Sequence, residues 1–215
     1  RSDKYQHPII CLVDKQFSES YISIDENNLK AEPVLQPEDV DLSNNDYKRY
    51  ADTESWISPY VVPWTVNWEF IATSYEHDES WASSEDSEMK SKMMAKRSRK
   101  MKTFINTEFN DNFYWYEIIN PNAEKFYVSF GFNRYVLEDL IKWDSNTWLI
   151  IITVFQPLDP RLKKRFTEHE NQIENLTFVE MNENWSLERL IKNECNLKSP
   201  DRENKINHIR KFNYL

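Results

Sequence analysis

Glycine is nearly absent from this chain. Gly131 is the single glycine among 215 residues, and without glycine the backbone cannot easily approach a phosphate. Neither GxxxxGK[ST] nor GxGxxG occurs, which disfavours nucleotide hydrolysis and dinucleotide redox chemistry. A GxSxG nucleophile elbow is missing too, and acyl transfer loses its usual signature. Cys11 and Cys195 are the only cysteines and form no CxxC or Cys/His ligand spacing, so a structural zinc site is disfavoured. Free thiols in a reducing compartment explain them better than a disulfide framework. The longest apolar run, near Trp148 to Phe155, falls far short of the roughly 20 residues of a membrane-spanning helix. The opening RSDKYQHP has none of the basic-then-apolar order of a secretory signal.

What is present is aromatic and acidic. Eight Trp, eleven Tyr and twelve Phe give ample material for a core, and 36 acidic against 27 basic residues leave a net charge of −9. That balance opposes a general polyanion binder while leaving room for a local basic patch.

Pro8–Asp14, PIICLVD, is an apolar run ending in a carboxylate, the pattern of a buried strand. Phe17–Ile24 reads as a second strand, 25–46 as loop, and Ser43 as the cap of a short helix reaching Trp56. Two prolines hold the segment from Ser58 to Trp64 extended, and Thr65–Tyr75 is a further strand. Asn112–Ile119 and Glu124–Phe130 flank an NPNA turn and read as a hairpin. A helix follows Gly131, and WLIIITVF, apolar on both faces, is expected as a central parallel strand. Pro160 opens a helix with Leu162, Phe166 and Ile173 inward, LTFVEM is a strand, and Ser186 or Asn184 caps the next helix. A last helix spans Arg202–Phe212. The fold class is α/β: a mostly parallel central sheet flanked by helices, with an antiparallel hairpin and a long charged loop. One domain over 1–215 is expected, with a charged insertion at 76–103 and a helical tail at 197–215.

The insertion changes sign abruptly. His77–Glu88 is acidic and reads as a mobile loop whose Ser83, Ser84 and Ser87 sit in a context favoured by acidophilic kinases. Lys90–Lys102 carries seven basic residues, among them Lys96, Arg97, Arg99 and Lys100. Three readings are open for it: a solvated helix face, a nuclear-import signal, or a stripe that contacts phosphates.

Catalytic groups are sparse. Glu168-His169-Glu170 points its side chains in different directions along a helix, which suits surface charge better than chelation. His7, His77 and His208 leave open a metal-free ribonuclease pairing a His with a Glu. Asp14, ending PIICLVD, occupies the kind of strand-end position that a metal-dependent nuclease uses, without visible partners.

PIICLVDKQF, with WLIIITVF, the Pro160 helix, LTFVEM and WSLERLIKNE, resembles the XPF-type nuclease fold. Active members carry a Glu-Arg-Lys box followed by Asp. The counterpart here is Asn133, Arg134, Tyr135 and Asp139, which lacks the carboxylate anchor and the lysine. The resemblance therefore implies a catalytically inactive member, similar to the fungal meiotic synapsis-initiation proteins, with no metal and no cofactor. It implies a nuclear heterodimer with a smaller XPF-partner-like subunit that binds branched DNA in crossover formation, not an enzyme and not at a membrane. Lys96, Arg97, Arg99 and Lys100 are the expected DNA contacts. The alternatives are a nuclear scaffold subunit of a chromatin or centromere complex without DNA contact, and a ribonuclease-type toxin or divergent nuclease using Asp14.

Overall fold

The computed structural model describes residues 2–29, 47–61, 64–65, 68–109, 115–121, 123–168, 176–197 and 207–209. The expectations at Ser43, Ile173 and Glu168-His169-Glu170 fall wholly or partly outside these residues. Contacts in the chain expected to form one domain gather into two compact units, Arg1–Cys11 with Ser23–Glu108, and Leu12–Ile22 with Phe109–Leu215.

The first unit is organised by one long helix. It contains α1 (Ser2–Tyr5), a 3-10 turn (Glu26–Asn28), the strands β1 (Glu76–His77) and β2 (Ser83–Ser84), and α3 (Ser87–Glu108); α2 (Lys15–Glu19) belongs to the second unit. β1 and β2 form a small antiparallel hairpin. The Asp78 carboxylate closes its turn by accepting hydrogen bonds from the Ser80 and Ala82 amides at 2.9 and 3.0 Å, so the acidic stretch is a built turn. The segments expected as a helix to Trp56 and as a strand over Thr65–Tyr75 have no regular structure among the described residues. They are held instead by aromatic contacts: Tyr47 stacks on Trp68 at 4.6 Å and Tyr50 on the buried His77 at 5.0 Å. At the other end of α3, Glu108 accepts from Tyr5 Oη at 2.6 Å and pairs with Lys4 at 3.1 Å.

The second unit is the α/β layer. Its sheet runs in the order β3 (Tyr116–Ile119), β5 (Thr147–Ile152), β4 (Lys125–Ser129), β6 (Leu176–Val179), β7 (Asn207–Ile209). β3 is antiparallel to β5, with Tyr116 opposite Ile152, and the other pairings are parallel, with Val128 level with Ile150 and Phe178. The sheet is mixed and mostly parallel, flanked by α4 (Asn133–Trp143), α5 (Pro160–Glu168) and α6 (Ser186–Cys195). β5 is buried at all six residues as expected of a strand apolar on both faces, but it lies second in the sheet and is parallel to β4 on one side only, being antiparallel to β3 on the other. α5 starts at Pro160 as expected, where the missing N–H costs nothing, and buries Leu162 and Phe166. Asp159 caps it by accepting from the Arg161 amide at 2.7 Å.

Three expectations are corrected. Tyr116–Ile119 and Lys125–Ser129 do not pair with each other; β5 lies between them, where the backbone groups of this buried strand are paired along both edges. Residues 8–13 and 20–24 are neither strand nor helix, and Lys15–Glu19 is helical. Asn207–Ile209, placed in a helix by sequence, runs as a strand beside β6.

The glycine shortage leaves a mark on the backbone. Among the described residues Gly131 has φ +61°, and seven non-glycine residues share the left-handed region, including Trp56, Trp64, Trp81 and Trp185. A bulky L-residue there carries about 1–2 kcal/mol of strain. Trp64 has φ +75° and a side chain 98% exposed, so nothing packed is lost on removing it. Trp64→Gly should raise stability in urea unfolding by about 0.5–1 kcal/mol, net of the extra unfolded-state freedom of glycine. Trp64→Ala, which keeps the strain, should give no gain.

Lys96 makes a second measurable feature. It is 4% exposed, and its ammonium donates to the carbonyls of Tyr50 at 2.7 Å and Ala51 at 2.5 Å and to Ser58 Oγ. Burial pushes its pKa down to about 8. As pH rises from about 8 toward 10 the folded chain loses this proton while the unfolded chain keeps it, so the unfolded state binds more protons and stability rises with pH. Measured against Lys96→Met, which cancels other titrations, the wild-type chain should gain about 2 kcal/mol over that interval.

Candidate functional site

Adjacent strands of the sheet send their connections to opposite faces. α4, which follows β4, buries Leu137 with Leu149, Ile151 and Val179. α5, which follows β5, places Leu162 and Phe166 on the other face with Val128, Ile150, Phe178 and the α6 residues Leu187 and Ile191. In open α/β sheets this divergence opens a crevice at the carboxyl ends of the strands, where ligands bind. A cavity of about 640 Å³ lies there, lined by Leu12, Val13, Asp14, Phe130, Gly131, Arg134, Ile151, Ile152, Thr153, Phe155, Asn182, Ser186, Leu187 and Leu190.

The single glycine forms one wall. A Cβ on Gly131 would sit 2.6 Å from Asp14 Oδ2, closer than any real Cβ contact. Asp14 Oδ2 accepts from the Phe132 amide at 2.7 Å while Oδ1 accepts from the Phe17 amide at 2.8 Å. One carboxylate thus caps α2 and clasps the turn into α4. Behind the lining residues Asn182 and Leu187, Glu180, 1% exposed, accepts from the amides of Leu187 at 2.9 Å and Glu188 at 3.2 Å and from Asn182 Nδ2 at 3.0 Å. Its negative charge occupies the positive end of α6, where Trp185 supplies no side-chain cap. The capping expected of Ser186 or Asn184 is performed by this upstream carboxylate. Arg134, on the cavity wall, is held between Glu138 at 2.6 Å and Glu117 at 2.8 Å.

The crevice is mainly apolar, and its charged groups already have partners. Cys195, near the core, is buried, and burial pushes its thiol up to about 11, far from a reactive thiolate. Among the described residues no group of three His, Cys, Asp or Glu is placed to hold a metal ion. The arrangement suits binding of an apolar group more than proton transfer.

The sequence-derived candidates fall elsewhere. Lys96 is the buried strut described above. Arg97 forks onto Glu76 at 2.9 and 2.6 Å and holds that carboxyl below its usual range. Arg99 lies 3.6 Å over the Trp56 ring and 3.6 Å from Asp52, and Lys100 donates to Gln6 Oε1 at 3.3 Å. These four cations are engaged within the first unit. Of the degenerate box, Asn133 is buried and reaches the Val179 carbonyl at 3.4 Å, Arg134 is ion-paired, Tyr135 is half exposed, and Asp139 pairs with Lys142 at 2.7 Å. Asp14 is a cap and a clasp. Sequence reasoning missed Glu180 and gave Gly131 no role, although a lone glycine following a strand was itself a signal.

No family model matches the chain. It is 29% identical over 174 residues to the 2-oxoacid:ferredoxin oxidoreductase subunit alpha of Saccharolobus solfataricus, covering 76% of this chain and 27% of that protein. Over 103 residues it is 33% identical to the 2-oxoacid:ferredoxin oxidoreductase 2 subunit alpha of Aeropyrum pernix, 47% of this chain and 16% of that one. Among solved structures, the 2-oxoglutarate:ferredoxin oxidoreductase from Magnetococcus marinus, with 2-oxoglutarate, coenzyme A and succinyl-CoA bound, is similar with a TM-score of 0.59 and 22% identity, covering 79% of this chain and 28% of that one. The chain spans about a quarter or less of the length of the curated relatives it matches.

These likenesses overturn the nuclease reading. The fold is shared with an oxidoreductase, not with an XPF-type domain, and the curated relatives are alpha subunits of 2-oxoacid:ferredoxin oxidoreductases. The non-enzymatic role in meiotic crossovers, the XPF-like partner and the branched DNA are corrected on that finding, and the scaffold and toxin alternatives gain no support. The strand, helix, strand, helix order on which the earlier resemblance rested is common to many α/β folds.

The Asp14 clasp gives a direct test. Gly131→Ala should cost about 1–2 kcal/mol in urea unfolding, from the positive φ and the contact with Asp14. In an Asp14→Ala background the same change should cost less, since the opposing oxygen is gone, giving a coupling of about 0.5–1 kcal/mol.

Proposed function

We propose that this chain is part of an alpha-type subunit of a 2-oxoacid:ferredoxin oxidoreductase, an enzyme that oxidises a 2-oxoacid and passes the electrons to ferredoxin. The observation that carries the reading is the 174-residue match at 29% identity, which runs across most of the chain. The crevice at the carboxyl ends of β4 and β5 is consistent with it, being where an α/β layer receives a ligand or a neighbouring segment.

The residues also limit which part of the work falls here. An iron–sulfur cluster of the common kind is held by four thiolates, and these 215 residues contain two cysteines, of which Cys195 is buried. Any such cluster takes at least two of its four ligands from other parts of the enzyme. This portion contributes a rigid layer and its crevice, with Asp14 and Glu180 fixing the turns and helix ends that border the cavity.

The test is to isolate the tagged protein with its natural partners and assay 2-oxoacid-dependent reduction of ferredoxin. Co-purification with other oxidoreductase subunits and turnover with at least one 2-oxoacid is the expected result. An intact assembly inert toward all 2-oxoacids would sink the proposal.

A further inference from the structure

Ile9–Val13 has the sequence of a strand and no sheet. Ile10 is 83% exposed, Leu12 75%, Ile9 60% and Val13 54%, and Cys11 between them is exposed as well. Among the described residues none of the backbone N–H or C=O groups from Ile9 to Val13 finds a partner. Such a row of unpaired groups is a template for strand addition. Side chains alternate sides along a strand, so once paired Ile10 and Leu12 would face one way and Ile9, Cys11 and Val13 the other. Both sets are apolar, which is the pattern of a strand buried on both faces inside an α/β layer. The flanks agree: Pro8, lacking an N–H, is tolerated at the first strand position, and Asp14 ends the run by capping α2.

We propose that Ile9–Val13 is a β-strand that completes an open-edged, helix-covered sheet belonging to the remaining portion of an alpha-type oxidoreductase subunit. The inference rests on the function proposed above. The occupant follows from size and chemistry. The matched segment is 27% of the Saccharolobus protein, so most of such a subunit is available to supply the sheet. A strand apolar on both sides requires a partner with layers on both faces. A solvent-facing antiparallel ribbon would leave one row of aliphatic side chains in water.

Cys11 reports on the strand directly, with buried Cys195 as an internal control. Iodoacetamide labelling read by mass spectrometry, with amide exchange over 9–13, is run on the isolated chain and on the purified assembly. Cys11 and these amides should react freely in the isolated chain and at least about tenfold more slowly in the assembly, while Cys195 stays slow in both. The variant Ile9→Asp with Ile10→Asp should leave the isolated chain folded, because both side chains are exposed and neither lines the crevice, and abolish co-purification. An assembly with 2-oxoacid:ferredoxin activity in which Cys11 remains as reactive as in the isolated chain overturns the strand and leaves the enzyme assignment standing. Protection already present in the isolated chain at twice its mass overturns it in favour of self-pairing. A chain that joins no oxidoreductase subunit overturns both.

Discussion

The side-by-side pairing of β4 and β5 is the constraint from which the rest of the α/β unit follows. Their residues Val128, Leu149, Ile150 and Ile152 are almost wholly buried, and a strand apolar on both faces must be covered twice. The two coverings come from opposite directions, α4 on one face and α5 with α6 on the other. That divergence opens the crevice, and the residues at its mouth then have to solve local problems. Gly131 turns the chain left-handed after β4, Asp14 satisfies the amide beyond it, and Glu180 pairs the buried first-turn amides of α6. The cavity is thus a consequence of how the core is covered.

In the first unit the same economy applies to charge. The abrupt change from acidic to basic sequence is an internal match, because carboxylates around the β1–β2 hairpin face cations of α3: Glu76 takes Arg97 and Glu79 takes Lys92. Exposed ion pairs contribute only about 0–1 kcal/mol each, yet together they leave few cations of α3 free to meet a polyanion. Lys96 is a different case, buried among two carbonyls and a hydroxyl. It crosslinks irregular segments that have few backbone bonds of their own.

Legibility in the sequence followed the range of the forces involved. WLIIITVF, the Pro160 helix, LTFV and the helix after Ser186 were readable, because burial on both faces and helical periodicity are local signals. The neighbours of β5 were not readable, since pairing depends on which edges are left open by the whole sheet. The capping of α6 was misassigned because Glu180 reaches it across seven and eight residues, outside the usual capping pattern. The α3 cations looked like a binding stripe because their partners at Glu76, Glu79, Asp52 and Gln6 are distant in sequence. PIICLVD has the apolar pattern of a buried strand, yet residues 8–13 are exposed and irregular, because no neighbouring strand pairs with them among the described residues.

The glycine count itself was open to a wrong inference. A shortage of glycine excludes glycine motifs, but it does not exclude the backbone geometry that glycine usually serves. Trp56 and Trp81 hold left-handed turns closed by amide bonds to Thr53 at 3.0 Å and Asp78 at 3.1 Å, and the Trp185 carbonyl accepts from the Arg189 amide at 3.0 Å. The Trp56 ring recovers part of its cost by lying against the Arg99 guanidinium. The fold therefore demands tight left-handed turns at several sites and meets most of them with strained residues. The single glycine stands where a side chain would meet a second cost beside the positive φ, because at Gly131 the space of a Cβ is already occupied by the Asp14 carboxylate. Position decided this glycine: at the crevice wall any other residue would carry both the left-handed turn and the displacement of the Asp14 carboxylate from the amides it holds.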